Sequence, residues 1–594
     1  MPKTLTRIQF GILTALIKEP DASQRALAEF VGCSLGSINK GLKELAKAGY
    51  LDNSNAFTQA GYQALEPYKV DNAVIMAAGL SSRFAPISYE KPKGLLEVKG
   101  EILIERQIRQ LQEAGITDII VVLGYKREYF FYLEEKFGVT LVENPYFSQR
   151  NNNSSLYVVK DKLRNSYICS SDVYLSENPF EPYVYKAYYS SIFAAGATDE
   201  WCLSTSPAGR ITGVEVGGEN SWIMLGHVYF DRAFSERFCK ILTNEFENPL
   251  TYPKLWEEIY QDHLHELDME IKKYEHNIIH EFDSLDELRQ FDPLFLRNLD
   301  LDVFKHIQQV LDVDAHDITQ IYPLKQGLTN LSCHFNTPKG EFVYRHPGAG
   351  TEVLVNRGAE CQAQKIAADL GIDNTFVYED PKQGWKITRF ISSARTLDGK
   401  NAVERQKALQ LIKRLHEVNA RIDFEFDFFV QALDYETSLL AYGDIEIPEY
   451  WEMRAVATKL QAFIESEPNK QPRCVTHNDF YGPNILVNEA GELNLIDWEY
   501  AGMSDYAHDL GTFAVCEQLT ADEIDQMIAE YFGVTPTPEQ YRHCLAYIAA
   551  AGWCWYVWAL LKRVMGEDVG EWLYIYYRCA KAYLPRALDL YQRA

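Results

Sequence analysis

Ala77-Ala78-Gly79-Leu80-Ser81-Ser82-Arg83 follows directly on Ala73-Val74-Ile75-Met76, and Lys91-Pro92-Lys93-Gly94 comes soon after. The apolar run reads as a short buried strand, and the segment after it as a glycine-containing loop. Backbone N–H groups of such a loop surround phosphate oxygens with no side chain in the way. Ala78, Gly79, Ser81 and Ser82 are the positions placed to do so. Arg83 brings a planar fork for phosphate oxygens, and Lys93 a charge to neutralise a departing pyrophosphate. Further out, Ile102 to Ala114 has helical spacing, and Asp118 to Leu123 is a second apolar strand closed by Gly124. Strand, loop, helix, strand is a βαβ unit. It predicts an α/β region with a parallel sheet, helices on both faces and a ligand at the carboxyl ends of the strands.

A second signature lies far downstream: His477-Asn478-Asp479, then Asn484, then Ile496-Asp497-Trp498-Glu499. In this spacing Asp479 accepts the proton of a substrate hydroxyl and Asn484 reaches Mg²⁺ from the other end of the loop. Asp497, after the short apolar strand Leu493 to Ile496, holds Mg²⁺ on nucleotide phosphates. Gly327-Leu328-Thr329-Asn330 stands between two apolar strands, as a phosphate-covering loop does. Arg345 occupies the place of a kinase strand lysine, and Glu360 on the next helix is placed to pair with it. Strands come first, from Ile318, and mostly helices follow from about residue 400, the order of a two-lobed kinase-like α+β fold.

The 594 residues suit about three or four domains. A net charge of −26 argues against a general nucleic-acid binder and fits a cytoplasmic enzyme. Eleven scattered cysteines with no C-x-x-C pair suggest neither a zinc site nor a disulfide framework. The start, Met1-Pro2-Lys3-Thr4, lacks a signal-peptide layout. Cys544 to Leu561 is uncharged and reaches the lower limit of a membrane span. It is read as a buried helix, and no membrane span is expected.

Residues 1–68 read as a small helical unit with a short wing. Ser23 caps a helix to Phe30, and Ser34 caps a second from Leu35 to Ala48 with Ile38, Leu42, Leu45 and Ala46 inward. A last helix runs from Thr58 to Leu65. The unit resembles the winged helix-turn-helix of MarR-like regulators. That resemblance implies a second helix in the DNA major groove, with Ser37, Asn39, Lys40 and Lys43 outward. The competing reading is a packing or dimerisation module.

Residues 70–295 resemble bacterial CTP:phosphocholine cytidylyltransferases. Besides the loop, the matching segments are Asn151-Asn152-Asn153-Ser154-Ser155-Leu156-Tyr157, Ser171-Asp172-Val173-Tyr174-Leu175, Asp199-Glu200-Trp201 and Glu281-Phe282-Asp283-Ser284. The resemblance implies a Rossmann-like sheet, Mg²⁺ held by Asp172 and Asp283, and a phosphocholine pocket of Trp201, Trp256 and Glu257. This chain departs at Ser81, where the family usually has a second glycine.

Residues 302–594 resemble the bacterial branch of the choline/ethanolamine kinase family. The matching segments are Arg345-His346-Pro347-Gly348-Ala349-Gly350-Thr351, Asp497-Trp498-Glu499-Tyr500-Ala501 and Asp509-Leu510 with Glu517 after it. This implies a choline pocket with Trp555 and Trp558, three apart on one helix face, and Glu517 as countercharge. Together the resemblances imply a bifunctional enzyme. ATP and Mg²⁺ would phosphorylate choline, and CTP and Mg²⁺ would convert phosphocholine to CDP-choline. The alternatives are ethanolamine, an aminophosphonate, or a transcriptional regulator sensing choline metabolites. A homodimer is a further expectation.

Overall fold

A computed structural model describes residues 4–295, 301–324, 330–347, 355–468, 471–566 and 569–593. It divides into two compact units, Met1–Lys305 and His306–Ala594.

The first unit opens on four helices: Arg7–Lys18, Gln24–Val31, Leu35–Lys47 and Gln59–Leu65. Each N-terminus is capped by a side-chain oxygen, from Thr6, Ser23, Ser34 and Thr58 in turn. A single bridge, Leu51 to Phe57, makes the wing. Ile38, Leu42 and Leu45 are buried, whereas Asn39, Lys40 and Lys43 face solvent. The first helix packs on the larger region that follows. Phe10, Tyr68 and Tyr185 form an aromatic stack with ring centroids 5.2–5.6 Å apart, and Arg7 pairs with Glu270.

That larger region is built on a sheet of seven strands among the described residues. Their order is Glu270–Lys273, Tyr188–Thr205, Ile211–Phe230, Ser166–Ser170, Asn72–Ala77, Ile119–Leu123, Thr140–Glu143. The strand Asn72–Ala77 lies parallel to both neighbours, as the βαβ pattern requires. The sheet is nevertheless mixed rather than parallel. Tyr188–Thr205 and Ile211–Phe230 are joined by a short turn, so they pair antiparallel, and the second also pairs antiparallel with Ser166–Ser170. Helices cover both faces, over two apolar layers centred on Ile75, Val121 and Ile108 on one side and Val74, Val122 and Phe238 on the other.

The second unit has a five-stranded antiparallel sheet among the described residues, in the order Thr319–Pro323, Asn330–Thr337, Gly340–Pro347, Lys386–Arg389, Phe376–Glu379. The helix Arg357–Asp369 packs against it. From Ala402 the chain is mostly helical, interrupted by short strands between Cys474 and Ser504 that carry the second signature. The uncharged run lies in helix Pro538–Val564, and 94% of its most apolar window is buried. A helix apolar on all sides belongs in a core. Two glycines let its neighbours approach. A Cβ on Gly511 would meet the Tyr547 carbonyl at 2.5 Å, and one on Gly552 the Ala580 nitrogen at 2.9 Å.

Deleting residues 1–68 is expected to leave both activities largely intact while lowering the melting temperature of the first unit, because Tyr185 loses its stacking partners. Thermal unfolding and parallel activity assays check this; loss of activity in a folded truncation would give the segment a catalytic role.

Candidate active sites

In the first unit the glycine loop, Lys93, Asp172 and Asp283 line one cavity of about 730 Å³. Strand Asn72–Ala77 ends at the loop, and strand Ser166–Ser170 delivers Ser171 and Asp172 beside it. The Lys93 ammonium lies 2.8 Å from the Asp172 carboxylate and donates to the Phe282 carbonyl at 2.5 Å. Gly94 permits that approach, since a Cβ there would meet Ser171 Oγ at 2.7 Å. Against burial, which would raise it, Lys93 holds the Asp172 carboxyl below its usual range. Arg83 and Asp283 form an ion pair at 2.5 Å on the exposed side of the pocket. Ala78 and Gly79 line the cavity, and so does Ser81, with φ of +51°. Ser81 thus adopts the left-handed conformation that glycine takes freely, at a cost of about 1–2 kcal/mol. The side chain of Ser82 lies outside the described residues.

Two further carboxylates, not singled out from the sequence, belong to this set. Glu281 stands exposed at the rim, yet surrounding protein and then the charge of Asp172 push its pKa up to about 8. Glu200 is raised by burial and by Asp283. Asp172 and Asp283, both on the cavity wall, are hard oxygen donors of the kind Mg²⁺ takes, and Glu200 and Glu281 feel their charge.

Asn152, on the cavity wall, donates to Glu257 behind it at 3.1 Å, and the Tyr189 hydroxyl donates to Glu257 at 3.3 Å. Burial raises the Glu257 carboxyl to about 7. Trp256, expected in the phosphocholine pocket, is a core residue, 1% exposed. It stacks on Tyr189 at 5.9 Å and packs edge-on against Phe230 at 5.3 Å and Phe238 at 5.9 Å. Large aromatics serve either purpose, and the helix Trp256–Asp262 turns this one inward. Trp201 is half-buried on strand Tyr188–Thr205 against the same core and is absent from the cavity wall.

In the second unit Asn484 donates to Asp479 twice, to Oδ2 at 2.7 Å and to the carbonyl at 2.9 Å. Asp509, fully buried, accepts the backbone N–H groups of His477 at 3.0 Å and Asn478 at 2.6 Å, and it meets His416 Nε2 at 2.9 Å. This clamps the loop from below. Asn478 and Asp497 both have positive φ, +64° and +67°, conformations that persist where the surroundings over-determine them.

Arg345 reaches Asp497 at 2.6 Å, Glu499 at 3.2 Å and Glu360 at 3.4 Å. Glu360, buried on helix Arg357–Asp369, also binds Lys386 at 2.9 Å and Arg357 at 2.8 Å. Despite burial, Lys386 and then Arg345 keep its carboxyl well below the usual range. Asn484, Asp497 and Glu499 supply oxygens suited to Mg²⁺. Gly327 lies outside the described residues. Asn330 begins a strand, and its side chain is likewise outside them.

Trp555 and Trp558 stand perpendicular with ring centroids 6.0 Å apart. Trp555 packs edge-on against Tyr500 at 5.3 Å. Tyr435, Tyr481, Tyr500 and Tyr576 were not foreseen as site residues. Burial raises the pKa of each, and the nearby charge of Asp479 adds to the rise. Trp572 extends the group, stacked on Tyr576 at 5.6 Å and edge-on to Tyr481 at 6.1 Å. Glu517, expected as countercharge to the tryptophans, accepts the backbone N–H groups of Gly482 at 2.6 Å and Gly399 at 3.2 Å. Its carboxylate therefore braces the loop between Asp479 and Asn484.

The two sites define a nucleotidyltransferase and a kinase-type phosphotransferase in one chain. Comparison with known proteins agrees. Residues 73–178 match the MobA-like NTP transferase domain, 320–544 the phosphotransferase enzyme family, and 5–52 a winged helix-turn-helix DNA-binding family. The chain is 34% identical over 222 residues to the choline-phosphate cytidylyltransferase of Streptococcus pneumoniae, covering 37% of this chain and 97% of that one. It is 36% identical over 225 residues to the 2-aminoethylphosphonate cytidylyltransferase of Lancefieldella rimae, covering 37% and 92%. The chain belongs to the cytidylyltransferase family that contains these two enzymes, with a phosphotransferase domain and a winged helix on either side. The crystal structure of choline kinase LicA from Streptococcus pneumoniae is 23% identical over 49% of this chain and 98% of that one, with a TM-score of 0.40.

Burial first, then the charges of Asp497 and Glu499, push the Asp479 carboxyl up to about 8. The folded chain then holds a proton that the unfolded chain releases near ~3.9. Stability contributed by this group falls as pH rises from about 4 to about 8, and the full penalty stands above that. Asp479→Asn should therefore raise the melting temperature in magnesium-free buffer, by more at about pH 8.5 than at about pH 5. A gain independent of pH would show that the repulsion is not the cause.

Proposed function

We propose that this chain is a cytoplasmic bifunctional enzyme that phosphorylates choline with ATP and couples the resulting phosphocholine to CTP, giving CDP-choline and pyrophosphate. The observation that carries the choline assignment is the aromatic group around Asp479. A quaternary ammonium donates no conventional hydrogen bond, so faces of Tyr and Trp are what attract it. Tyr435, Tyr481, Tyr500, Trp555 and Tyr576 gather such faces beside the group that takes the hydroxyl proton. In the kinase step Asp479 accepts that proton as the choline oxygen attacks the γ-phosphorus and ADP leaves. Asn484, Asp497 and Glu499 would hold Mg²⁺, which neutralises charge on the phosphates, and Arg345 would turn to the nucleotide.

The transferase step needs no such base. A phosphomonoester is largely dianionic at neutral pH, with a second pKa of about 6, so its oxygen is already a nucleophile. Positioning and charge neutralisation are what remain. Lys93, Arg83 and the loop N–H groups supply these, and Asp172 and Asp283 would hold Mg²⁺ against the nucleotide.

A second reading concerns the transferase substrate. With Trp256 in the core, the polar group nearest the cavity there is Asn152 with Glu257 behind it, to which the Tyr189 hydroxyl also donates. The Glu257 carboxylate is an acceptor for a primary ammonium, which favours 2-aminoethylphosphonate or phosphoethanolamine there. Parallel kcat/KM measurements on phosphocholine, phosphoethanolamine and 2-aminoethylphosphonate decide between the readings.

Asp479→Ala is expected to abolish choline phosphorylation and leave CDP-choline synthesis from phosphocholine intact, and Asp172→Ala to do the reverse. Loss of both activities in either folded variant would argue against independent sites. Trp555→Ala should weaken choline binding by about 0.5–2 kcal/mol with ATP affinity little changed; equal kcat/KM for choline and ethanolamine in the parent would remove the cage. We further propose weak, salt-sensitive DNA binding by residues 1–68, reduced when Lys40 and Lys43 are both changed to Ala. Gel-shift titrations at low and high salt test it, and absence of binding at ~50 mM salt would favour a packing role.

A further inference from the structure

Asp373 is fully buried in the turn between helix Arg357–Asp369 and strand Phe376–Glu379. Four donors meet its carboxylate. Thr375 gives its backbone N–H at 2.9 Å and its hydroxyl at 2.5 Å to Oδ1. The Gln364 amide at 2.9 Å and the Trp498 indole N–H at 3.2 Å both go to Oδ2, the indole N–H being shared with the Leu495 carbonyl, also at 3.2 Å. Gln364 lies one helical turn after Glu360, on the same face of one helix. Trp498 stands between Asp497 and Glu499 and is itself fully buried, edge-on to His477 at 4.7 Å.

These contacts close a ring. Arg345 binds both Asp497 and Glu360; Glu360 and Gln364 share a helix; Gln364 and Trp498 share one oxygen of Asp373; Trp498 adjoins Asp497. We infer that Asp373 is a positioning residue for phosphoryl transfer, coupling the helix that carries Glu360 to the segment that presents Asp497 and Glu499. The strained backbone of Asp497, with φ of +67°, is the part that needs such a hold. Trp498 supplies it through an N–H shared between the Leu495 carbonyl and Asp373, and Asp373, fixed by Thr375, is the acceptor that ties it to the helix carrying Glu360. The inference rests on the kinase reading of this unit.

Trp498→Phe keeps the ring and removes the donor, and Gln364→Met keeps the volume and removes the other donor. The full-length chain is titrated with Mg²⁺ at fixed AMP-PNP, and nucleotide binding is followed by calorimetry beside the melting temperature. Each single variant should raise the Mg²⁺ concentration for half-maximal binding by about tenfold, the scale for lost outer partners of metal ligands. The double variant should add little to either, because both act through one carboxylate. CDP-choline synthesis should be unchanged. A parent that binds no Mg²⁺–nucleotide removes the kinase reading and this inference together. A parent that binds, with variants that keep its Mg²⁺ requirement or whose effects simply add, removes this inference alone. If Trp498→Phe fails to fold, Gln364→Met carries the same test.

Discussion

Like charges held close together are the constraint on which both units are built. Phosphate chemistry with a hard cation needs carboxylates that converge, and carboxylates that converge repel. The first unit gathers Asp172, Glu200, Glu281 and Asp283, the second Asp479, Asp497 and Glu499. Each cluster is held by side-chain cations brought from elsewhere in the fold. Lys93 and Arg83 serve the first, and Arg345 the second. Removing one partner of a buried pair costs about 3–5 kcal/mol, because the other charge stays behind. The Lys93 and Arg345 pairs fall in that class; the exposed Arg83–Asp283 pair is worth far less.

Glu360 shows how far the arrangement extends. It is completely buried and meets three cations. Its charge is what allows Arg345 and Lys386 to sit in the interior. Glu379, beside them, is pushed up to about 8 by burial and by Glu360, and its two oxygens have no hydrogen-bond partner among the described residues. Neutral at physiological pH, it adds no further repulsion. One ionised and one neutral acid around shared cations is the usual outcome when two carboxyls compete for one site.

Features encoded by local spacing were legible in the sequence. The caps at Ser23 and Ser34 and the βαβ unit around Gly79 depend on residues within a few positions of each other. So does the pairing of Asn484 with Asp479. Features made by distant segments were not. The antiparallel strands Tyr188–Thr205 and Ile211–Phe230 carry glycine, serine and charged residues on partly exposed faces, so no apolar alternation announced them. Glu281 was quoted in a motif, but its membership of the acid cluster arises only when the sheet brings it beside Asp172. Trp256 and Trp555 are both buried, 1% and 4% exposed, and which segments each meets, Tyr189 and Phe230 for the one and Tyr500 and Phe428 for the other, is set by the direction of its helix.

The two sites handle their acids differently, and the difference follows the nucleophile. At the transferase, Lys93 keeps Asp172 ionised against burial, and Asp283 has Arg83. Nothing there needs to accept a proton, because a phosphate oxygen arrives already charged, and Asp172, held ionised, is free to bind a cation, while Glu281 near it is pushed up to about 8. At the kinase, Asp479 has only an amide as side-chain partner among the described residues, while Arg345 pairs with Asp497 and Glu499. Left without a cation, Asp479 gains affinity for a proton, which suits the one acid in the chain that must take a proton from an alcohol. The same residue type is thus made a metal ligand or a base by where the fold sends its arginines and lysines.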